Sequence, residues 1–168
     1  MVTETQALAF AKEKHKNQRY GSHPYDVHFL EVVALLKKYG ADKVGILAGY
    51  LHDTMEDTET TYEEIKFSFG VDVADIVYLL TDKPGKNRTE RHLATYHLIR
   101  GSKTATLVKL CDRMANMQQC LRSKDLARSK MYSKEYMSFK FALFSDIVEH
   151  EQVWKDLDEV FKQMQKII

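Results

Sequence analysis

GILAGYLHDTMEDT, residues 45–58, decides the fold: a run of mostly apolar residues leads straight into His52, Asp53, Glu56 and Asp57. A helix that is apolar around most of its circumference must be buried on most sides. The spacing therefore predicts a central helix from Asp42 to about Asp53. Its polar end holds two pairs four residues apart, His52 with Glu56 and Asp53 with Asp57, which share helix faces. Burying such groups is costly unless a cation or water meets them. One acidic cluster alone would suit a solvated helix end better, but the apolar run before it pins this terminus against other structure.

Working outward, apolar residues recur at helical spacing nearly everywhere and no stretch alternates over a strand's length, so the expected class is all-α. Thr3 and Gln6 form a capping box opening a helix to about Gln18, before Gly21 and Pro24. A second helix, Val27 to about Tyr39, turns Phe29, Leu30, Val33, Leu35 and Leu36 inward. Thr61 with Glu64 opens a short helix ending at Gly70, and VDVADIVYLL forms another ending near Thr81. TDKPGKN, residues 81–87, is the clear loop. Asn87 with Glu90 caps a helix to about Arg100, and Lys103 to about Leu121 forms a long one. Two amphipathic helices complete a bundle of about eight to nine. The chain is expected to be one domain over 1–168, with 123–168 as a helical extension packed on it.

Of 168 residues, 44% are hydrophobic, enough for a core without disulfides. Lys and Arg number 25 against 24 acidic residues, leaving a net charge of +1. No global field attracts nucleic acid or an anionic membrane, so an anion must be caught locally. Cys111 and Cys120 form no CxxC pair and read as reduced helix residues. Charge interrupts every apolar stretch of the N-terminus, and no run approaches bilayer length. A cytoplasmic protein is expected. The aromatic C-terminal helices could cover the core or form a homo-oligomer face.

Two further residues carry ligand chemistry. His28 opens the second helix, and Asp112 lies on the apolar side of TLVKLCDRMANM near Leu110 and Met114. A carboxylate placed so is rarely buried unless paired or bound to metal; a salt bridge to Lys109 or Arg113 is the plain alternative. If the helices converge, His28, His52, Asp53 and Asp112 offer two imidazoles and two carboxylates, a set suited to Mn, Fe, Co or Zn. That chemistry points to metal-assisted hydrolysis.

The series His28, His52-Asp53, Asp112 resembles the H…HD…D signature of HD-domain metal-dependent phosphohydrolases. RYGSHPYDVHFLEVV (19–33), LAGYLHDTMEDT (47–58), FG (69–70) and VKLCDRMANM (108–117) are similar to elements of the RelA/SpoT-type hydrolase domain and its stand-alone small alarmone hydrolases. The resemblance runs from about Ala11 to Met117. It departs at Phe29, where the family has Pro, at Val33, and at Thr54-Met55, where the family has an aliphatic pair. TDKPGKNRTERHLATYHLIR and the C-terminal part look closer to small bacterial and phage HD proteins.

This resemblance implies removal of the 3′-pyrophosphate from guanosine tetra- or pentaphosphate, with Mn²⁺ held by His28, His52, Asp53 and Asp112. Glu56 and Asp57 would position and deprotonate the attacking water, since a cation acidifies water and a nearby carboxylate takes the proton. Arg19 would clamp phosphate, Asn116 would contact sugar or base, and Tyr25 would flank the base. Lys83, Lys86, Arg88 and Arg91 form a basic group that could fold over several phosphates, though it reads equally as a solvated loop. Two other readings keep the fold. One is a phosphatase acting on a nucleoside monophosphate or the 2′-phosphate of NADPH; the other is a nucleotide-binding regulator without turnover.

Overall fold

The computed structural model describes residues 2–145 and 147–168. The all-α expectation holds: helices build the described residues, with one two-stranded hairpin of two residues per strand. The first three helices are α1 (Glu4–Lys14), α2 (Asp26–Lys38) and α3 (Lys43–Leu51), followed by the single turn α4 (Thr54–Asp57). Next come α5 (Tyr62–Phe69), α6 (Val71–Leu80), α7 (Arg88–Ile99) and α8 (Lys103–Ser123). The last are α9 (Leu126–Leu143) and α10 (Glu151–Gln165), joined through a short 3-10 turn, Val148–His150.

Local chemistry sets the boundaries. The Thr3–Gln6 capping box forms in both directions. Thr61, Asn87, Ser102 and Asp125 each accept a backbone N–H from the first turn of the helix they open, satisfying donors that a helix start leaves free. Only half of the Thr61–Glu64 box forms: the hydroxyl accepts the Glu64 N–H at 3.2 Å. Gly70 separates α5 from α6 at φ 95°, where a side chain would be strained.

Four expectations need correction. α1 stops at Lys14, short of Gln18, because His15 Nδ1 and Gln18 Oε1 pair at 2.6 Å as the chain turns away. The following segment is a hairpin, β1 (Arg19–Tyr20) against β2 (His23–Pro24), turning at Gly21 with φ 61°. Leu30 faces solvent, while Val32 takes its place in the core. Arg88 and Arg91 lie on α7 and not in the loop before it.

The core is one continuous cluster from Ala7 to Met164. GILAGYL is enclosed as expected: α3 packs against α1, α2, α6 and α8. The helix touching most others is α8, which packs on α2, α3, α6, α7, α9 and α10. Contact between α2 and α3 is close because Gly49 has no side chain; a Cβ there would meet Leu36 Cδ1 at 2.4 Å and Val33 Cγ2 at 3.2 Å. α9 and α10 bury Tyr136, Phe139, Leu143, Trp154 and Leu157 against the bundle, while Met137 and Phe141 of α9 remain exposed. Among the described residues, no helix is long and apolar enough to cross a membrane. Cys111 and Cys120 are both free thiols and buried.

Candidate metal centre and nucleotide cavity

Three helices deliver the four expected ligands to one point. His28 comes from the first turn of α2, His52 caps the end of α3, Asp53 follows it, and Asp112 projects from the middle of α8. The ligand atoms of His28, His52 and Asp53 lie within 4.8 Å of one another. His28 Nε2 is 3.2 Å from His52 Nε2 and 3.4 Å from Asp53 Oδ2, and His52 Nε2 is 3.0 Å from the same oxygen. Asp112 Oδ1 closes the group at 3.3 Å from His28 Nε2 and 3.7 Å from His52 Nε2. Donors bonded at ~2.0–2.2 Å to one ion at tetrahedral or octahedral angles stand about 2.8–3.6 Å apart. The His28, His52 and Asp53 spacings fit a shared cation, while Asp112 stands at the edge of that group, within range of His28 and just beyond it from His52.

Neighbouring groups orient the ligands. The Gly49 carbonyl lies 2.8 Å from His52 Nδ1; a proton held there leaves Nε2 with its lone pair facing the cluster. His28 Nδ1 is buried without a partner, so its ring is fixed by packing against Tyr20 and Tyr25 instead. Asp112 divides its oxygens: Asn116 Nδ2 donates to Oδ1 at 2.7 Å and Lys109 Nζ to Oδ2 at 3.0 Å. The expected salt bridge and the expected ligand are thus the same carboxylate. Arg113 turns away to Glu135 and the Tyr96 hydroxyl, at 3.1 Å each.

Electrostatics point the same way. Burial alone would lower the pKa of the His28 and His52 imidazoles, but the Asp53 and Asp112 carboxylates offset this and raise both. Burial would raise the two carboxyls, yet the histidines, and Lys109 beside Asp112, hold them well below their ordinary range. The pocket favours cations between these groups. Burial pushes Glu56 and Asp57 up, which makes each a better proton acceptor.

The cluster opens into a cavity of about 340 Å³. Of the expected residues, Arg19, Tyr25, His28, Asp53, Glu56, Arg88, Asp112 and Asn116 line it. Tyr25 does so with its hydroxyl committed, donating to Asp53 Oδ2 at 2.7 Å and reaching Asp57 Oδ2 at 3.3 Å. Glu56 Oε2 accepts the Asp82 backbone N–H at 3.1 Å. Asp57 is held by Tyr25 and lies outside the lining. Lys83 and Lys86 are not brought in: the Lys83 ammonium sits 3.8 Å from the Tyr78 ring centroid, and Lys86 lies beyond the lining. Arg88 pairs with Glu135 at 2.8 Å.

Tyr20, Asp82, His92, Arg128, Met131 and Tyr132, not singled out from the sequence, complete the wall with Lys109 and Arg113, which were expected only as salt-bridge partners of Asp112. Lys109 was legible, standing one helical turn before Asp112 on the same face. Arg128 and Tyr132 come from α9, and their i,i+4 spacing carries no mark of what they face.

The family model described as "HD domain" matches residues 7–139. A guanosine-3′,5′-bis(diphosphate) 3′-pyrophosphohydrolase of Xenopus tropicalis, MESH1, is 39% identical over 140 residues, covering 80% of this chain and 78% of that protein. The Homo sapiens protein of the same name is 31% identical over 165 residues, covering 94% and 92%. A guanosine-3′,5′-bis(diphosphate) 3′-pyrophosphohydrolase of Aquifex aeolicus (strain VF5) is 37% identical over 160 residues, and the match spans only 22% of that longer protein. A solved structure described as a metazoan ortholog of SpoT that hydrolyzes ppGpp superposes with a TM-score of 0.79 at 25% identity, covering 98% of this chain and 96% of that one. With a matching family model over most of its length and these relatives across nearly all of it, the chain belongs to the HD-domain family.

Proposed function

We propose that this chain is a divalent-metal-dependent pyrophosphohydrolase that removes the 3′-pyrophosphate from guanosine tetra- or pentaphosphate, with Mn²⁺ as its working metal. The observation carrying this reading is the His28–His52–Asp53–Asp112 cluster, which opens directly into a cavity lined by Arg19, Arg88, Lys109, Arg113 and Arg128. Named relatives with that activity match the chain over most of their own length. The reading treats residues 1–168 as one unit, with 123–168 contributing part of the cavity wall. Reduced, buried cysteines suit a cytoplasmic setting.

When bound, the cation would polarise a phosphoryl oxygen and make water a stronger acid. The chain's own groups divide the remaining work. Tyr25 holds Asp53 in place through its hydroxyl, and Asn116 and Lys109 do the same for Asp112. Glu56, anchored through one oxygen by the Asp82 N–H, keeps the other free to take a proton from the attacking water. Asp57 contributes by sharing the Tyr25 hydroxyl with Asp53. Arg19 and Arg88 line the cavity with guanidinium groups, which suit paired phosphate oxygens.

The test is incubation of the protein and Mn²⁺ with guanosine tetraphosphate, product analysis by chromatography, and Asp53→Ala and Asp112→Ala as controls. Pyrophosphate should be released and both variants should be inactive. Orthophosphate as the product, or turnover only on a nucleoside monophosphate or NADPH, would replace the pyrophosphohydrolase with a phosphomonoesterase. Tight nucleotide binding without any product would make the chain a regulator.

A further inference from the structure

The hairpin absent from the sequence reading delivers a residue whose polar atom has nothing to do within the fold. Tyr20, on β1, is 6% exposed, with its ring 4.7 Å from that of His28. Its hydroxyl is buried and has no hydrogen-bond partner, although buried polar groups in folded proteins are nearly always paired. An unpaired hydroxyl kept at such a place costs stability, and Phe would fill the same volume without that cost. Tyr20 lines both the main cavity and a small annex of about 30 Å³, and Asn116, Arg128 and Tyr132 stand on the same partition.

We propose that the Tyr20 hydroxyl is a specificity-determining contact of this cavity, donating a hydrogen bond to an oxygen of the bound nucleotide. The nearby Arg19, Arg128 and Asn116 side chains make an oxygen-rich ligand the natural occupant of that wall. A phenol is protonated at neutral pH, so the hydroxyl serves as a donor. A water in the annex is the competing partner, because a hollow of this size holds one. Glu31 Oε2 is also unpartnered, but Glu31 lines neither hollow, so water in either one would not join the two groups. A donor that only the correct ligand satisfies also rejects analogues lacking the matching acceptor, since they leave it buried and unpaired.

The proposal rests on the cavity being a nucleotide site, and the experiment separates the two claims. Calorimetry on metal-depleted wild-type protein with guanosine tetraphosphate, GDP, GMP, ATP and NADPH identifies the tightest ligand. Tyr20→Phe is then measured against that ligand, and its KM, kcat and melting temperature are compared with wild type. Loss of a donor to a charged oxygen should raise Kd and KM about 10- to 100-fold, with kcat within about twofold, as for a contact made equally in ground and transition states. Melting should not fall. Unchanged affinity would overturn the proposal, as would a lower melting temperature with unchanged affinity, because the hydroxyl would then serve only water or the fold. A tightest ligand other than guanosine tetraphosphate sinks the alarmone reading while Tyr20 is still judged on that ligand. Binding of no nucleotide at all overturns both.

Discussion

Glu56 lines the cavity beside the metal cluster, and burial raises its pKa above that of an ordinary glutamate. As proton acceptor it must be ionised, and a raised pKa leaves more of it protonated at any acidic pH. Activity should therefore fail on acidification at a higher pH than an unperturbed carboxylate would allow. The pH profile of kcat/KM checks this, and Glu56→Gln should lower kcat by about 10²- to 10⁴-fold. A wild-type acid limb in the ordinary glutamate range, or a Gln variant with near-normal kcat, would transfer the role elsewhere. The four residues that converge, His28, His52, Asp53 and Asp112, were legible because each is a metal-binding type on an apolar-rich helical segment. Lys83 and Lys86 were less so: type and position suggested substrate contacts, whereas Lys83 lies against Tyr78 and neither lines the cavity. A side chain's target depends on neighbours from other elements, which spacing along one helix does not reveal.

At the scale of elements, the helix pattern was readable because caps and apolar stripes are local, and both survive in the structure. The β1–β2 hairpin was not, since two residues per strand are too few to show alternation. The α2–α3 contact decides whether His28 and His52 meet, and Gly49 lets those helices approach while its carbonyl faces the His52 ring. Gly49→Ala should destabilise the protein by about 1–3 kcal/mol through overpacking against Leu36 and Val33. It should also weaken Mn²⁺ binding, because any outward shift of α3 moves His52 with it. Denaturant melts and metal titration measure the two effects; a variant with wild-type stability and affinity would show that Leu36 yields without moving the helix.

For the whole molecule, α9, which lies beyond the H…HD…D motifs read from the sequence, supplies Arg128, Met131 and Tyr132 to the cavity and Glu135 to Arg88 and Arg113. Its aromatic pattern announced burial but not a share in the site. All of it converges on α8, with twelve buried residues, neighbours on every side, and Asp112 near its middle. Such a helix has no local way to open, so its backbone amides should exchange with deuterium only when the entire protein unfolds. Stripping the metal should accelerate exchange at the end of α3 and in α4 while leaving the centre of α8 among the slowest amides; early labelling there would contradict this. Asp112 is thus mounted on the last part of the protein to let go, so its position should outlast the loss of any ion that it helps to hold.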